Sequence, residues 1–234
     1  MKKTLQNLPS AETYSKEFLY MPWGKLTDEV LDIIIKKAPK NGRILDLMCG
    51  TGFLMAEIKK RRPDLQLTGV DLNPDFIRYA KKNYKNMDFI LADALKWKTK
   101  TTYDLVICAA GIHHVPDSKQ ASLIRKIASY LKKSGFAITA DPFIDDYKNT
   151  TERQIASAKL GYAYLSATVR NGATPDVIQA AINILENDVM GIEYKTSLKK
   201  LKPAFQKYFS KISIKKTWPK TKSEYGDYYF VLNK

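Results

Sequence analysis

A glycine-containing loop is the stretch of this chain best suited to hold a ligand. Cys49-Gly50-Thr51-Gly52 follows a short apolar segment, R-I-L-D-L-M, and precedes a segment with helical spacing. Glycines at such a turn let a ligand approach the backbone, and the N-terminus of the next helix offers free N–H groups. Two acids, Asp71 and Asp93, end or follow the second and third apolar segments. We therefore expect a ligand cradle where these segments end.

Two nucleotide-binding fingerprints are absent around this loop. The dinucleotide pattern G-x-G-x-x-G/A requires a third small residue, and counting from Gly50 that position holds Met55. No G-x-x-x-x-G-K-[ST] phosphate loop occurs anywhere in the printed sequence. Neither a dinucleotide site nor a P-loop is therefore predicted.

Histidine and cysteine are scarce, and their positions limit the chemistry open to the chain. The two histidines, His113 and His114, are adjacent and follow the fourth apolar segment. Two roles are open for a histidine at this place: it acts as a general base, or it forms hydrogen bonds to backbone groups at the end of the strand. Cys49 and Cys108 form no disulfide framework and no zinc-cluster spacing. We therefore expect a reducing, cytoplasmic setting and no metal site.

Apolar segments alternate with helical spacing along most of the chain. The predicted strands are 43–48, 65–70, 87–91, 103–109 and 136–140, with helices at 12–37, 53–62, 73–84 and 118–132. The strands hold few polar positions, which is typical of a parallel sheet covered on both faces, a doubly wound α/β domain. Residues 145–195 predict two or three helices and no strand. A helix at 197–208 and strands at 211–218 and 228–232 follow, the strands as an antiparallel hairpin on the sheet edge.

Length and composition set the outer limits of the interpretation. The 234 residues suffice for one domain with a sizeable core, and no apolar run approaches the roughly 20 residues of a membrane span. No signal peptide is visible in the first residues. The net charge is +15, and residues 195–234 are rich in lysine. These lysines form either a solvated surface or a patch that faces a polyanion.

Residues 27–142 resemble the class I S-adenosylmethionine (SAM)-dependent methyltransferases of the broad small-molecule type. The first strand of that family ends D-x-G-x-G-x-G, and this chain has L-D-L-M-C-G-T-G, with Met48 where the first glycine usually stands. The resemblance implies a Rossmann-like sheet of seven strands, with SAM as cofactor and S-adenosylhomocysteine (SAH) as product. The cofactor-binding residues that it implies are Asp46, Met48, Gly50, Gly52, Asp71, Leu72, Asp93, Ala94 and Cys108.

The resemblance also implies how a substrate is held. We expect a single domain over 1–234, with an N-terminal helical cap at 1–26 and a helical lid inserted at 145–195. His113 is the candidate general base. The candidate substrate-lining residues are Tyr14, Tyr20, Trp23, His114, Tyr147, Arg153, Tyr164 and Arg170.

The identity of the methyl acceptor stays open at this point. The expected reaction is methyl transfer to an oxygen or nitrogen of a small molecule, by a monomer or homodimer without membrane contact. The alternative is an RNA- or tRNA-modifying SAM enzyme, either a methyltransferase or one similar to carboxy-SAM synthases. The signature of amino-methylating nucleic-acid enzymes, Asn or Asp followed by two prolines and an aromatic, is absent where Cys108-Ala109-Ala110-Gly111 ends the fourth strand. A nucleic acid is therefore the less favoured partner.

Overall fold

Seven strands form one sheet in the computed structural model, which describes residues 9–234. The strands are β1 (Arg43–Leu47), β2 (Gln66–Asp71), β3 (Asp88–Leu91), β4 (Tyr103–Ala109), β5 (Leu131–Phe143), β6 (Lys211–Trp218) and β7 (Gly226–Asn233). Their order across the sheet is β3-β2-β1-β4-β5-β7-β6. The first five strands pair in parallel, and β7 pairs antiparallel with both β5 and β6. The predicted fold class is confirmed.

Helices cover both faces of this sheet because its central strands are apolar on both faces. Leu105, Val106 and Ile107 of β4 are all fully buried. The helices are α1 (Ala11–Glu17), α2 (Trp23–Lys37), α3 (Phe53–Arg61), α4 (Pro74–Asn83), α5 (Asp117–Ser129), α6 (Thr150–Arg170), α7 (Pro175–Val189) and α8 (Leu198–Tyr208). One face packs against α2, α3 and α4, and the other against α5 and α8. No helix among the described residues is long and apolar enough to cross a bilayer.

The largest differences from the sequence-based prediction are one divided helix and one strand that begins early. The helix predicted over 12–37 is two helices, because Pro22 has no N–H to continue the helical hydrogen bonds. The chain turns there, and the Glu17 carbonyl accepts hydrogen bonds from the amides of Tyr20 and Met21. The helix predicted over 118–132 ends at Ser129, and β5 begins five residues before the predicted 136. Leu131 is buried and pairs with Tyr103, which brings the chain into the sheet earlier.

The segment between β5 and α8 packs as an additional layer with the N-terminal helices. Leu160 and Tyr164 of α6, Val177 of α7, and Met21 before α2 share one apolar cluster. The two helices of this segment confirm the predicted absence of strands over 145–195. The cap predicted at 1–26 is helical from Ala11, and its residues 1–8 lie outside the described part of the chain. This layer lies next to the carboxyl ends of β4 and β5, where the cavity described below opens.

Candidate functional site

The loop between β1 and α3 is wound by three residues in the left-handed region. Met48, Gly50 and Gly52 have φ angles of 73°, 54° and 78°. A Cβ atom at Gly52 would lie 2.7 Å from the Phe89 ring, so only glycine fits there. Met48 keeps the backbone conformation for which glycine is suited, at a cost of about 1 kcal/mol for a residue with a Cβ. The departure from the family motif therefore changes the side chain and preserves the turn.

Asp71, at the end of β2, ties this loop to the next one. Its carboxylate accepts hydrogen bonds from the backbone N–H of Gly50 and of Asn73, each at 2.8 Å. Leu72 beside it is 67% exposed, which leaves a large apolar side chain facing solvent at this edge of the sheet. Asp93, after β3, accepts from the Leu95 amide at 2.8 Å. Backbone amides thus position both predicted strand-end acids: those of two loops for Asp71, and that of its own turn for Asp93.

Asp46 lies beneath the loop and is only 3% exposed. Burial raises the pKa of its carboxyl to about 7, and the nearby Asp71 carboxylate adds to this effect. Burial also raises the pKa of Asp71, against the opposing hydrogen bonds from backbone amides. Two carboxylates close together in a desolvated place favour a cationic partner.

Two adjoining cavities connect this loop to the helical layer, and Tyr14, Trp23 and Ala110 belong to the walls of both. The first cavity is bounded by Asp46 and Met48. The second, which we call the acceptor cavity, encloses about 750 Å³ of empty space including its mouth. Its walls come from α1, α6, α7 and the ends of β4 and β5, and its residues are Pro9, Tyr14, Glu17, Trp23, Ala110, His113, His114, Pro142, Leu160, Gly161, Tyr164, Ile184, Asn187, Asp188, Glu193 and Lys195.

His113 is held in the wall of the acceptor cavity by Asp141, a buried residue of β5. The ring Nδ1 lies 2.6 Å from Asp141 Oδ1, and the Ile112 and His113 amides donate to the same carboxylate. A carboxylate only accepts, so Nδ1 carries a proton and Nε2 is directed toward Glu193 Oε2, 3.9 Å away. Burial, together with His113, lowers the pKa of His114 to about 3, which keeps that ring neutral.

A buried ion cluster lies next to these histidines. The Lys195 ammonium donates to Asp188 Oδ1 at 2.6 Å and to Glu193 Oε2 at 2.5 Å. Burial opposes the charged form of Glu193, but Lys195 and His113 outweigh it and lower the pKa of this carboxyl. Among the described residues, His113, His114 and Glu193 also bring metal-ligating atoms within 4.8 Å of one another. Lys195 already supplies positive charge to that carboxylate.

Glu17 of α1 brings another carboxylate into the acceptor cavity. Its side chain is 2% exposed. Burial raises its pKa to about 8, against a hydrogen bond from the Trp23 indole. Its Oε1 atom has no hydrogen-bond partner within the described part of the chain. Such an atom carries a desolvation cost that a polar ligand can offset.

Several predicted substrate-lining residues lie elsewhere. Tyr14, Trp23, His114 and Tyr164 line the acceptor cavity, but the others do not. Arg153 donates to the Glu193 carbonyl at 2.8 Å and covers the Tyr194 ring, and Arg170 is exposed at the end of α6. Tyr147 donates to Asp117 and stays in the apolar cluster of the helical layer, against which Tyr20 also packs.

Two further predictions concern positions in the core. Cys108 is fully buried, and its side chain is absent from both cavity walls, because β4 turns this position into the core packed against α5. Ala109 and Ala110, the next two residues, line the first cavity instead. Ala94 is likewise buried in the core cluster.

The acids Glu17, Asp141 and Asp188, together with Glu193 and Lys195, were not among the predicted site residues. Their signal in the sequence is weak, because charged residues are common in these segments and nothing marks these ones as buried. Glu17 and Asp188 do lie on helices with apolar side chains three or four residues away, and a charge on the buried face of a helix indicates a partner or a ligand.

Residues 44–135 match the family model of a methyltransferase domain. Demethylmenaquinone methyltransferase of Thermotoga maritima is 27% identical over 66% of this chain and 72% of that protein. A malonyl-[acyl-carrier protein] O-methyltransferase of Acetivibrio thermocellus is 31% identical over 47% of this chain and 39% of its own length. A carboxy-S-adenosyl-L-methionine synthase of Campylobacter hominis is 24% identical over 63% of this chain and 66% of that protein.

Solved structures share the fold over nearly the whole chain. The plantazolicin methyltransferase BpumL, solved in complex with SAH and a triazolic substrate analogue, superposes with a TM-score of 0.60 at 14% identity, covering 96% of this chain and 90% of its own. The motif in the β1–α3 loop, the sheet order and these matches agree. Residues 44–135 therefore carry a methyltransferase domain, and the class I methyltransferases that this chain resembles use SAM as their cofactor.

Proposed function

We propose that this enzyme transfers a methyl group from SAM to an oxygen or nitrogen atom of a small molecule held in the acceptor cavity. The observation that carries the proposal is the pair of adjoining cavities. One reaches the glycine loop of β1, and the other reaches a histidine held by a carboxylate. Aromatic and apolar walls of this kind enclose a small organic molecule and exclude water.

The loop residues fit the chemistry of the cofactor. Gly50, Gly52 and the left-handed Met48 would let its methionine part approach the backbone, with the buried Asp46 toward its ammonium group. Each Asp71 oxygen accepts one amide and keeps a second lone pair for a ribose hydroxyl. Leu72 would cover the base, with Asp93 and Ala94 beside it. When bound, SAM supplies a methyl group on a positively charged sulfur, open to displacement by a lone pair.

His113 would take the proton that the acceptor loses. Asp141 fixes the ring with Nδ1 protonated, so Nε2 is the basic atom on the cavity side. A neutral histidine that is oriented by a carboxylate can act as a general base. Asp141 contributes by orienting the ring, and does not itself reach the cavity wall.

The alternative of a tRNA-modifying enzyme or a carboxy-SAM synthase is favoured by the similarity to carboxy-SAM synthases of two Campylobacter species, the Campylobacter hominis protein among them. The charges of the acceptor cavity oppose it for this chain. A carboxylated ligand needs an available cation, and the cation in the described wall, Lys195, already holds two carboxylates. The lysine-rich α8 and β6 contribute no residue to this wall. Lysines of β6 lie on a sheet edge, where they discourage pairing with another strand.

The test is a transfer assay with methyl-labelled SAM against a panel of small alcohols, phenols and amines, with tRNA as a parallel substrate. We expect label in a small molecule, and slower transfer by His113→Ala at unchanged SAH affinity. A matched control is Lys119→Ala, an exposed residue at the start of the neighbouring α5. Label appearing only in tRNA would contradict the proposal.

A further inference from the structure

The acceptor cavity has an excess of acidic groups. Among the described residues, its wall contains three acidic side chains, Glu17, Asp188 and Glu193, against one lysine, Lys195. Burial favours the protonated form of Glu17 near neutral pH, and a bound cation would favour its ionised form. A further carboxylate, Asp141, lies directly behind His113. The protein as a whole has a net charge of +15, so this local balance is opposite in sign to that of the molecule. A cavity that concentrates negative charge within a basic protein favours cationic ligands.

Two of these acidic side chains keep an oxygen that has no hydrogen-bond partner among residues 9–234. Glu17 Oε1 and Asp188 Oδ2 are buried and unpaired, although each residue's other oxygen is engaged, by the Trp23 indole and by Lys195 respectively. Both residues are only 2% exposed. An unpaired buried acceptor is costly, and a donor group on a ligand would remove that cost.

Aromatic rings complete the wall around these acids. Tyr14 and Trp23 are stacked with their centroids 5.9 Å apart, and Tyr164 closes another side while its hydroxyl donates to the buried Asp227. The faces of such rings attract ammonium groups, and rings combined with carboxylates form the cages that bind alkylated amines. The same wall offers little to an anion, because Arg153 is turned to the Glu193 carbonyl and Arg170 is exposed on the surface.

We propose that the methyl acceptor is an amine, which enters the acceptor cavity as an ammonium ion and donates to the free oxygens of Glu17 and Asp188. This inference rests on the proposed function and selects nitrogen over oxygen as its acceptor atom. Because an ammonium nitrogen has no lone pair, the bound amine would first pass one proton to Nε2 of His113. The nitrogen would then form a bond to the methyl carbon as the bond between that carbon and the SAM sulfur breaks, which releases SAH. The product, an ammonium ion with one more methyl group, is bound by the same rings and acidic side chains. The class of substrate is therefore a primary, secondary or tertiary amine with an apolar body.

Isothermal titration with three probes of matched size tests this inference in the presence of SAH. The probes are 2-phenylethylamine, 2-phenylethanol and 3-phenylpropanoate, at pH 7.5. We expect the amine to bind at least about tenfold more tightly than the alcohol, and the carboxylate most weakly. Glu17→Gln should lower the amine affinity about tenfold and leave the alcohol affinity unchanged. Glu12→Gln, an exposed position on the same helix, is the matched control.

Asp188→Asn provides a second variant with the same expected loss for the amine. No preference for the amine, or a preference unaffected by Glu17→Gln, overturns the inference. A metal site would overturn the inference as well. Its signs would be tight binding of MgCl₂ or ZnCl₂ alone that competes with the amine and is abolished by His113→Ala, because the acidic groups would then serve to bind the metal. The SAH titration that precedes each probe is separate: its failure would contradict the proposed function, whereas SAH binding without amine preference contradicts only this inference.

Discussion

Replacing Glu17 by glutamine should stabilise the protein at pH 8 and leave its stability nearly unchanged at pH 4.5. The side chain is buried at 2% exposure, and Gln keeps its size and an oxygen for the Trp23 indole. The substitution therefore removes one property, the ability to carry a negative charge. Its effect on stability must follow the titration of this carboxyl.

The magnitude follows from the pKa in the two states. Burial raises the pKa of Glu17 from 4.5 to about 8 in the folded protein. Between these values the unfolded chain releases a proton that the folded chain keeps, so the free energy of unfolding falls as pH rises. Each pKa unit corresponds to about 1.4 kcal/mol, which makes the accumulated loss roughly 4 kcal/mol by pH 8. Glutamine avoids this loss. The buried acids Asp46 and Asp227, whose pKa values are also raised, titrate in the native protein and in the variant alike, so their contribution cancels from the difference between the two.

Urea unfolding followed by circular dichroism at pH 4.5, 6, 7 and 8 measures this difference. We expect the free energy of unfolding of the variant to exceed that of the native protein by less than about 0.5 kcal/mol at pH 4.5, by about 2 kcal/mol at pH 6, by about 3 kcal/mol at pH 7 and by about 4 kcal/mol at pH 8. Glu12→Gln, exposed on the same helix, should show no such slope. A difference that is constant across pH, or a variant less stable at pH 8, would refute the assignment of Glu17 as a buried, desolvated acid.

Three further substitutions test other parts of the site. Asp71→Asn should lower SAM affinity about tenfold and the free energy of unfolding by about 1–3 kcal/mol, because an amide cannot accept from both backbone N–H groups. Calorimetry measures the change in affinity, and urea unfolding measures the change in stability. Asp141→Asn should lower kcat by about 10- to 100-fold and flatten its pH profile, with the Kd for SAH unchanged. Lys195→Met should cost about 3–5 kcal/mol in urea unfolding, since two buried carboxylates lose their partner.

Two of these substitutions have an exposed counterpart in the chain as a control. Asp75→Asn matches Asp71, and Lys199→Met matches Lys195. Asp71→Asn with native SAM affinity would remove the ribose assignment. A pH profile unchanged in Asp141→Asn would leave the histidine without a role as base, and a fully stable Lys195→Met would mean that the ion cluster is solvated rather than buried.

The cofactor side of the site could be predicted from the sequence because its signals are local. The turn after β1 needs a left-handed backbone, and the spacing of Gly50 and Gly52 reveals it. Asp71 ends a strand whose apolar run is continuous, so its place at the sheet edge follows from the strand itself. Even Met48, which departs from the motif, lies in the predicted turn with the backbone of a glycine.

The acceptor side could not be predicted in the same way, because it is assembled from distant segments. Glu17 and Asp188 meet only when α1 and α7 pack over the ends of β4 and β5. Arg153 illustrates the opposite error: an arginine in the inserted helices suggests a substrate contact, yet it is buried against the backbone of residue 193. Helical periodicity identifies the buried face of a helix and does not reveal which buried charges face a cavity.

The central claim is that this fold binds SAM at the β1–α3 loop, and calorimetric titration of ligand-free protein with SAM and SAH tests it most directly. We predict that both bind with one site per chain and micromolar affinity, that ATP does not bind there, and that Asp71→Asn weakens both ligands. Absence of heat from both SAM and SAH, in protein shown to be folded by its urea transition, would contradict the claim.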